Sequence, residues 1–160
     1  MEDKPPIDAA MLEKFRQTGL RLDRNGQFWH EGAIVSHRGI RAALLRWLDT
    51  LDDGRSVFRL DPKRYAYVDV EDAHLLATSA LWQGNHLWLV LNDGSQEELD
   101  YGTLVVDDND AMYCRVRGNR LRARLTPDAS ATVAERVSQE GKDFVLHAAG
   151  RTFRVASVNG

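Results

Sequence analysis

The stretch Met112-Tyr113-Cys114-Arg115-Val116-Arg117-Gly118-Asn119-Arg120-Leu121-Arg122-Ala123-Arg124-Leu125 decides how the chain is read. Gly118-Asn119 is a hairpin signal, and a Gly-first pair suits a type II′ turn. If these two residues turn the chain, Arg117 stands opposite Arg120, Arg115 opposite Arg122 and Tyr113 opposite Arg124. The two-residue period of a strand then gathers the arginines and Tyr113 on one face. Met112, Cys114, Val116, Leu121, Ala123 and Leu125 form the other, apolar face. Such a hairpin has a core side and a charged side, and it sets the pattern for the rest of the sequence.

Downstream, Thr126-Pro127 opens a helix with proline at N1, where its missing N–H costs nothing, and Val133, Ala134 and Val137 give it an apolar stripe. A last hairpin runs from Phe144 to Ala148 and from Thr152 to Ser157. Upstream, Leu99 to Val106 reads as a strand, preceded by an Asp93-Gly94 turn. His74 to Trp82 and His86 to Asn92 flank a Gly84-Asn85 turn. Tyr65 to Val70 alternates Tyr65, Tyr67 and Asp69 against Ala66, Val68 and Val70. Ser36 is a natural N-cap for a helix whose Ile40, Leu44, Trp47, Leu48 and Leu51 share one stripe, ending at Asp52-Asp53-Gly54. Asn25-Gly26 reads as a type I′ turn, both residues needing positive φ. Asp8 caps a short helix carrying Met11, Leu12 and Phe15 and stopping at Gly19.

The order hairpin, helix, strand, strand thus occurs twice, the second time from Gly118-Asn119 onward. The expected fold is α+β: three helices and about ten strands, mostly antiparallel hairpins, in two repeated ββαββ units. The expected organisation is a tail and short N-terminal helix over 1-19, a first ββαββ unit over 20-73, a β-rich connector over 74-110 and a second unit over 111-160, packed as one compact body.

Composition bounds the function. The chain has 160 residues, 43% hydrophobic and 28% charged, an ordinary globular balance that excludes disorder, collagen and coiled coil. A chain of this size buries roughly 70% of its extended surface, enough core without disulfides or metal. A net charge of -3 carries no global nucleic-acid signature. Cys114 is the only cysteine, so there is no internal disulfide, CxxC pair or cysteine cluster for zinc. The acidic, polar start MEDKPPID is no secretory signal, and the longest strongly apolar run, Leu87 to Leu91, is far too short to span a bilayer. The expected location is the cytoplasm, with no membrane contact.

Asn25-Gly26-Gln27-Phe28-Trp29-His30-Glu31-Gly32, then Asp53-Gly54-Arg55 running into Phe58, then Val68-Asp69-Val70-Glu71-Asp72-Ala73, occur in that order. Together they resemble the bacterial domain-of-unknown-function family 1285. Tyr113 to Gly118 and the final hairpin are similar to its second half. The resemblance covers about residues 20 to 156 and is strongest over 22-73. It implies an α+β fold with repeated motifs and a role, unassigned in the family, for which involvement in signal transduction has been suggested. It carries no catalytic residues.

Two constellations carry candidate chemistry. The first is the arginine face, Arg115, Arg117, Arg120, Arg122 and Arg124 with Tyr113, whose guanidinium groups beside an aromatic ring suit phosphate or carboxylate. Like charges opposite one another destabilise a hairpin, so something should compensate; the acids of 93-110, Asp93, Glu97, Glu98, Asp100, Asp107, Asp108 and Asp110, could pair with the ladder as a neighbouring strand or loop. The second is His30, Glu31 and His37, imidazoles and a carboxylate that could serve a divalent metal or acid–base chemistry; the spacing is not HExxH. His74, His86 and His147 read as surface or strand-end residues, Cys114 as a small buried one, and the four tryptophans as core. The acidic turn 107-110 lacks the glycine and distal glutamate of a calcium loop. No P-loop, GxGxxG or GxSxG is present. The expected function is a non-catalytic regulatory module that binds a protein partner or a small anionic ligand, without a cofactor. The alternatives are a small metal-dependent enzyme using His30, Glu31 and His37, and an anion or nucleic-acid binder using the arginine face.

Overall fold

The computed structural model describes residues 16–158. It divides the chain into two compact units, the first ending at Asp72 and the second starting at Ala73. Among the described residues there are two α-helices, a short 3-10 turn and two mixed sheets, a mostly-β member of the expected α+β class. Most of the helix expected from Asp8 lies outside the described residues; its expected end, Gln17 to Gly19, belongs instead to the first strand.

Unit 1 contains β1 (Gln17–Leu22), β2 (Phe28–His30), β3 (Ala33–Ile34), α1 (Arg38–Trp47), β4 (Leu48–Thr50), β5 (Ser56–Arg59) and β6 (Tyr65–Val70). The sheet order is β3-β2-β1-β6-β5-β4. The central pair, β1 and β6, is parallel, and every other pairing is antiparallel. Leu22, Phe28, Leu44, Leu45, Leu48, Val57, Phe58 and Val68 are buried, and the Phe28 and Phe58 rings lie 5.9 Å apart at 52°.

Three local expectations change here. Asn25-Gly26 is not a two-residue turn: Gly26 alone takes positive φ, and Asp23 organises a longer loop. The Asp23 carboxylate accepts from the amides of Asn25 and Gln27 and from Trp29 Nε1, an Asx-turn that competes with the type I′ form. The tight turn is Glu31-Gly32, both at positive φ, between the paired His30 and Ala33. The cap of α1 is His37 rather than Ser36; its Nδ1 accepts from the Ile40 amide at 3.2 Å. Finally, α1 stops at Trp47. Leu48 turns extended, with φ -56 and ψ 134, and enters β4 opposite Phe58. The leucine spacing continues through Leu51, but strand pairing has taken over.

Unit 2 contains β7 (Leu75–Gln83), β8 (His86–Leu91), β9 (Gln96–Glu98), the 3-10 turn (Tyr101–Thr103), β10 (Val105–Val106), β11 (Met112–Val116), β12 (Leu121–Leu125), α2 (Pro127–Ala134), β13 (Val137–Glu140), β14 (Asp143–Ala148) and β15 (Arg151–Ser157). Its sheet order is β13-β14-β15-β10-β11-β12-β7-β8-β9. The pairs β10–β15 and β12–β7 are parallel. The segment expected as a connector therefore supplies sheet strands to unit 2. The single strand expected from Leu99 to Val106 is interrupted, because the buried Tyr101 turns inward and its hydroxyl accepts from the Leu87 amide. Val137, expected on the helix stripe, starts β13. Thr126 caps α2, its hydroxyl accepting from the Ala129 amide, and Ala129 and Val133 are buried with Leu75, Ala77, Leu87, Leu89, Leu121 and Leu146.

The ββαββ unit expected from the sequence is thus not what either half contains: three strands, not two, flank each helix. The strand order β12-β11-β10-β15-β14-β13 nevertheless matches β3-β2-β1-β6-β5-β4, parallel central pair included.

Candidate functional site

The hairpin β11–β12 has the register read from its sequence. Tyr113 pairs with Arg124, Cys114 with Ala123, Arg115 with Arg122 and Val116 with Leu121. Only the turn type differs. Gly118 and Asn119 both have positive φ, the signature of type I′ rather than II′, and Arg117 before them is also left-handed at φ 53.

The five arginines divide. Arg117 is neutralised: its guanidinium meets the Asp93 carboxylate and its amide donates to Glu97 at 3.2 Å. Asp93 therefore pairs with the ladder as the sequence suggested, while Glu97 accepts from the Arg117 backbone. Burial alone would push the Asp93 carboxyl up; hydrogen bonds from Ser95 and Arg117 outweigh it and hold it below its ordinary value. Arg120 is exposed in the turn, and Arg124 is half-buried opposite Tyr113. Arg115 and Arg122 stand directly across from one another, and among the described residues neither has a carboxylate partner. Arg122 lies 3.7 Å over the ring of the buried Tyr113, a contact that fixes the guanidinium in place.

Arg115, Arg122 and Tyr113 line a cleft of about 470 Å³ together with Thr103, Val105 and Val158. The Thr103 hydroxyl accepts from the Arg115 amide at 2.9 Å. His74 completes the row across the strands. Its amide donates to the Arg122 carbonyl and its Nδ1 accepts from the Arg122 amide, each at 3.0 Å. With Nδ1 an acceptor, the proton of the neutral ring sits on Nε2. Burial, then the Arg115 charge, with Arg122 and Arg117 behind it, push the His74 pKa down to about 4. His74, expected at the surface or at a strand end, stands immediately before β7 and is only 9% exposed. Nothing local signalled this, because the parallel pairing of β12 with β7 brings together residues 48 apart in sequence.

The second constellation does not assemble. His30 and Glu31 are exposed at the β2–β3 turn, and His37 is engaged in capping α1. Among the described residues no group of three or more His, Cys, Asp or Glu side chains is placed to hold a metal ion. Cys114 is 2% exposed; burial, with Glu97 and Asp100 adding to it, pushes its thiol up to about 12. Two further polar groups join across strands: His86 Nδ1 and the Tyr101 hydroxyl share Glu98 Oε2 at 2.6 and 2.5 Å, and Ser138 Oγ lies 2.7 Å from His147 Nε2. Of the four tryptophans expected in the core none is fully buried: Trp88 is 37% exposed, and Trp29, Trp47 and Trp82 are half-buried, Trp82 donating to the Thr132 carbonyl under Arg136.

Compared with known proteins, the chain is similar to two solved structures. One is a DUF1285 family protein from Silicibacter pomeroyi DSS-3, with TM-score 0.71 and 19% identity over 89% of this chain and 81% of that one. This is the DUF1285 fold. A DUF1285 family protein from Shewanella baltica OS155 has TM-score 0.60 and 18% identity, over 72% of this chain and 90% of that one. No family model matches the sequence, and no curated protein does either. The residues that carried the resemblance to the DUF1285 family most strongly, within 22-73, sit in unit 1, while Tyr113 to Gly118 and the final hairpin sit in unit 2. Those of unit 1 form the β1–β2 loop and β2–β3 turn, the β4–β5 turn and the end of β6.

Proposed function

We propose that the chain is a non-catalytic binding module with a regulatory role, and that its ligand presents a carboxylate or phosphate to Arg115 and Arg122. The observation that carries this is the contrast within one hairpin: Arg117 has its acid, while Arg115 and Arg122 face each other with no carboxylate partner among the described residues. Like charges in direct cross-strand contact destabilise a sheet, and an anion held between them would relieve that. Guanidinium forks bind such groups bidentately, and the cleft volume suits a small ligand. Within the cleft the Thr103 hydroxyl is taken up by the Asp100 carbonyl and the Arg115 amide, and Cys114, which also lines it, has a buried thiol pushed up to about 12. A protein that binds without reacting fits a signalling or regulatory setting.

The test is calorimetry with inorganic phosphate, pyrophosphate and citrate at low and moderate salt. At least one should bind, more weakly as salt rises. Arg115→Gln with Arg122→Gln should weaken it about 10-fold or more, from loss of charge-assisted hydrogen bonds, while Arg120→Gln leaves it unchanged. Absence of binding by all three anions, or binding that survives the double substitution, would refute the assignment.

A further inference from the structure

Unit 2 has a second opening, on the other side of β10 and β15 from the arginine cleft. Residues paired across strands share a sheet face. Phe144 pairs with Val155, Ser157 with Val106, and Val106 with Met112. Two residues along from Phe144 and Met112 lie Leu146 and Cys114, both buried, so this is the face that carries the core. At this end the core stays open. A groove of about 510 Å³ is lined by Phe144, Val155, Val106, Met112 and Val137. Phe144 is 52% exposed, an aromatic ring presented to solvent at the head of an apolar channel.

The polar edge of this groove is acidic: Asp107, Asp108 and Asp110 border it. Asp107 is occupied by its own turn, accepting from the amides of Asn109 and Ala111. Asp108 and Asp110 are exposed, and among the described residues neither carboxylate has a partner. Arg154, on the adjoining strand, is already paired with Asp143.

We propose that this groove docks an amphipathic segment of another protein, one that places apolar side chains against Phe144 and Met112 and a lysine or arginine against Asp108 and Asp110. Charge complementarity selects this occupant. The aspartates repel a fatty-acid carboxylate and an anionic membrane surface, and a neutral apolar ligand leaves them unused. A cationic amphipathic segment uses both the apolar channel and its rim, and the rim charges steer its approach. The groove is independent of the arginine cleft, from which the β10–β15 ribbon separates it.

The experiment is fluorescence anisotropy with two labelled helical peptides. Both carry leucines at i, i+3, i+4 and i+7; one has lysines beside them and the other glutamates. The lysine peptide should bind and the glutamate peptide at least about 10-fold more weakly. Asp108→Lys with Asp110→Lys should reverse that preference. Phe144→Ser, a change at a half-exposed position, should weaken the lysine peptide about 10-fold while phosphate binding at Arg115 and Arg122 stays as it was. Equal binding of both peptides, no binding of either, or indifference to the aspartate substitutions would overturn the proposal. So would a concentration-dependent dimer of the unliganded protein that Phe144→Ser abolishes, since the occupant would then be a second copy of the chain.

Discussion

His74 reports the field of the arginine face. At pH 7 it is neutral in the folded chain and mostly neutral in the unfolded one. Below its ordinary value of 6.5, the unfolded chain takes up a proton that the folded chain refuses until about pH 4. Stability therefore falls as pH drops through that window, by about 3 kcal/mol, and levels off below it. His74→Asn, whose side-chain oxygen still accepts from the Arg122 amide, should flatten the curve in urea titrations between pH 6.5 and 4; an unchanged slope would count against the assignment. Arg115→Gln should raise the His74 pKa, followed by NMR, and stabilise the ligand-free protein by up to about 1 kcal/mol, because it removes a like-charge cross-strand pair. Cys114 makes a different forecast. With its thiol pushed up to about 12 under full burial, it should react with a disulfide reagent at pH 8 only as fast as the unit opens; prompt labelling of the native protein would contradict its placement. At this scale the sequence displayed Arg115, Arg122 and Tyr113, since alternation and one turn place them. It did not display His74, whose neighbours come from a distant strand.

Turns are the elements in which the two units are most alike. Asp23 and Asp107 each accept from the amides two and four residues on, and each closes its loop with the same pair of backbone hydrogen bonds. In the first loop Gly26 takes the left-handed position at φ 81; in the second Asp110 takes it at φ 62. Asp110→Gly should therefore stabilise unit 2, by up to about 1 kcal/mol in thermal melts, as relief of strain competes with the entropy a glycine adds to the unfolded chain. Asp23→Ala should cost roughly 2 kcal/mol, because three donors lose one charged acceptor, one of them the Trp29 indole. Burial would push the Asp23 carboxyl up, but the hydrogen bonds from Trp29, Gln27 and Asn25 hold it below its ordinary value. Its contribution is thus present at neutral pH and lost in acid. The hairpin around Gly118-Asn119 was legible because alternation and turn chemistry agreed. The loop at Asn25-Gly26 was misread because a side chain three residues from Gly26 chose a different turn. The junction at Leu48 was misread because leucines at 44, 48 and 51 satisfy a helical period whether or not the helix continues.

At the level of the molecule, antiparallel neighbours follow from short turns, and those were largely visible in the sequence. The parallel pairings were not. β1–β6, β10–β15 and β12–β7 each join strands with other elements between them, and no local pattern announces which distant strands will meet. The first two give six strands of unit 2 the strand order of unit 1, and the third adds β7, β8 and β9 beyond them.

The β1–β6 pairing also has a mechanical consequence. Among the described residues of unit 1, β1 is the first strand and β6 the last, and these neighbours run in the same direction. A force applied to the two ends of the unit pulls the strands past one another lengthwise. Their hydrogen bonds, Tyr67 to Arg16 at 2.8 Å and Glu71 to Leu22 at 2.9 Å among them, are then loaded together, in shear. A hairpin pulled at its open end gives way one bond at a time. Stretched between residues 16 and 72, unit 1 should yield in a single abrupt event at higher force than when it is pulled through the ends of its β4–β5 hairpin.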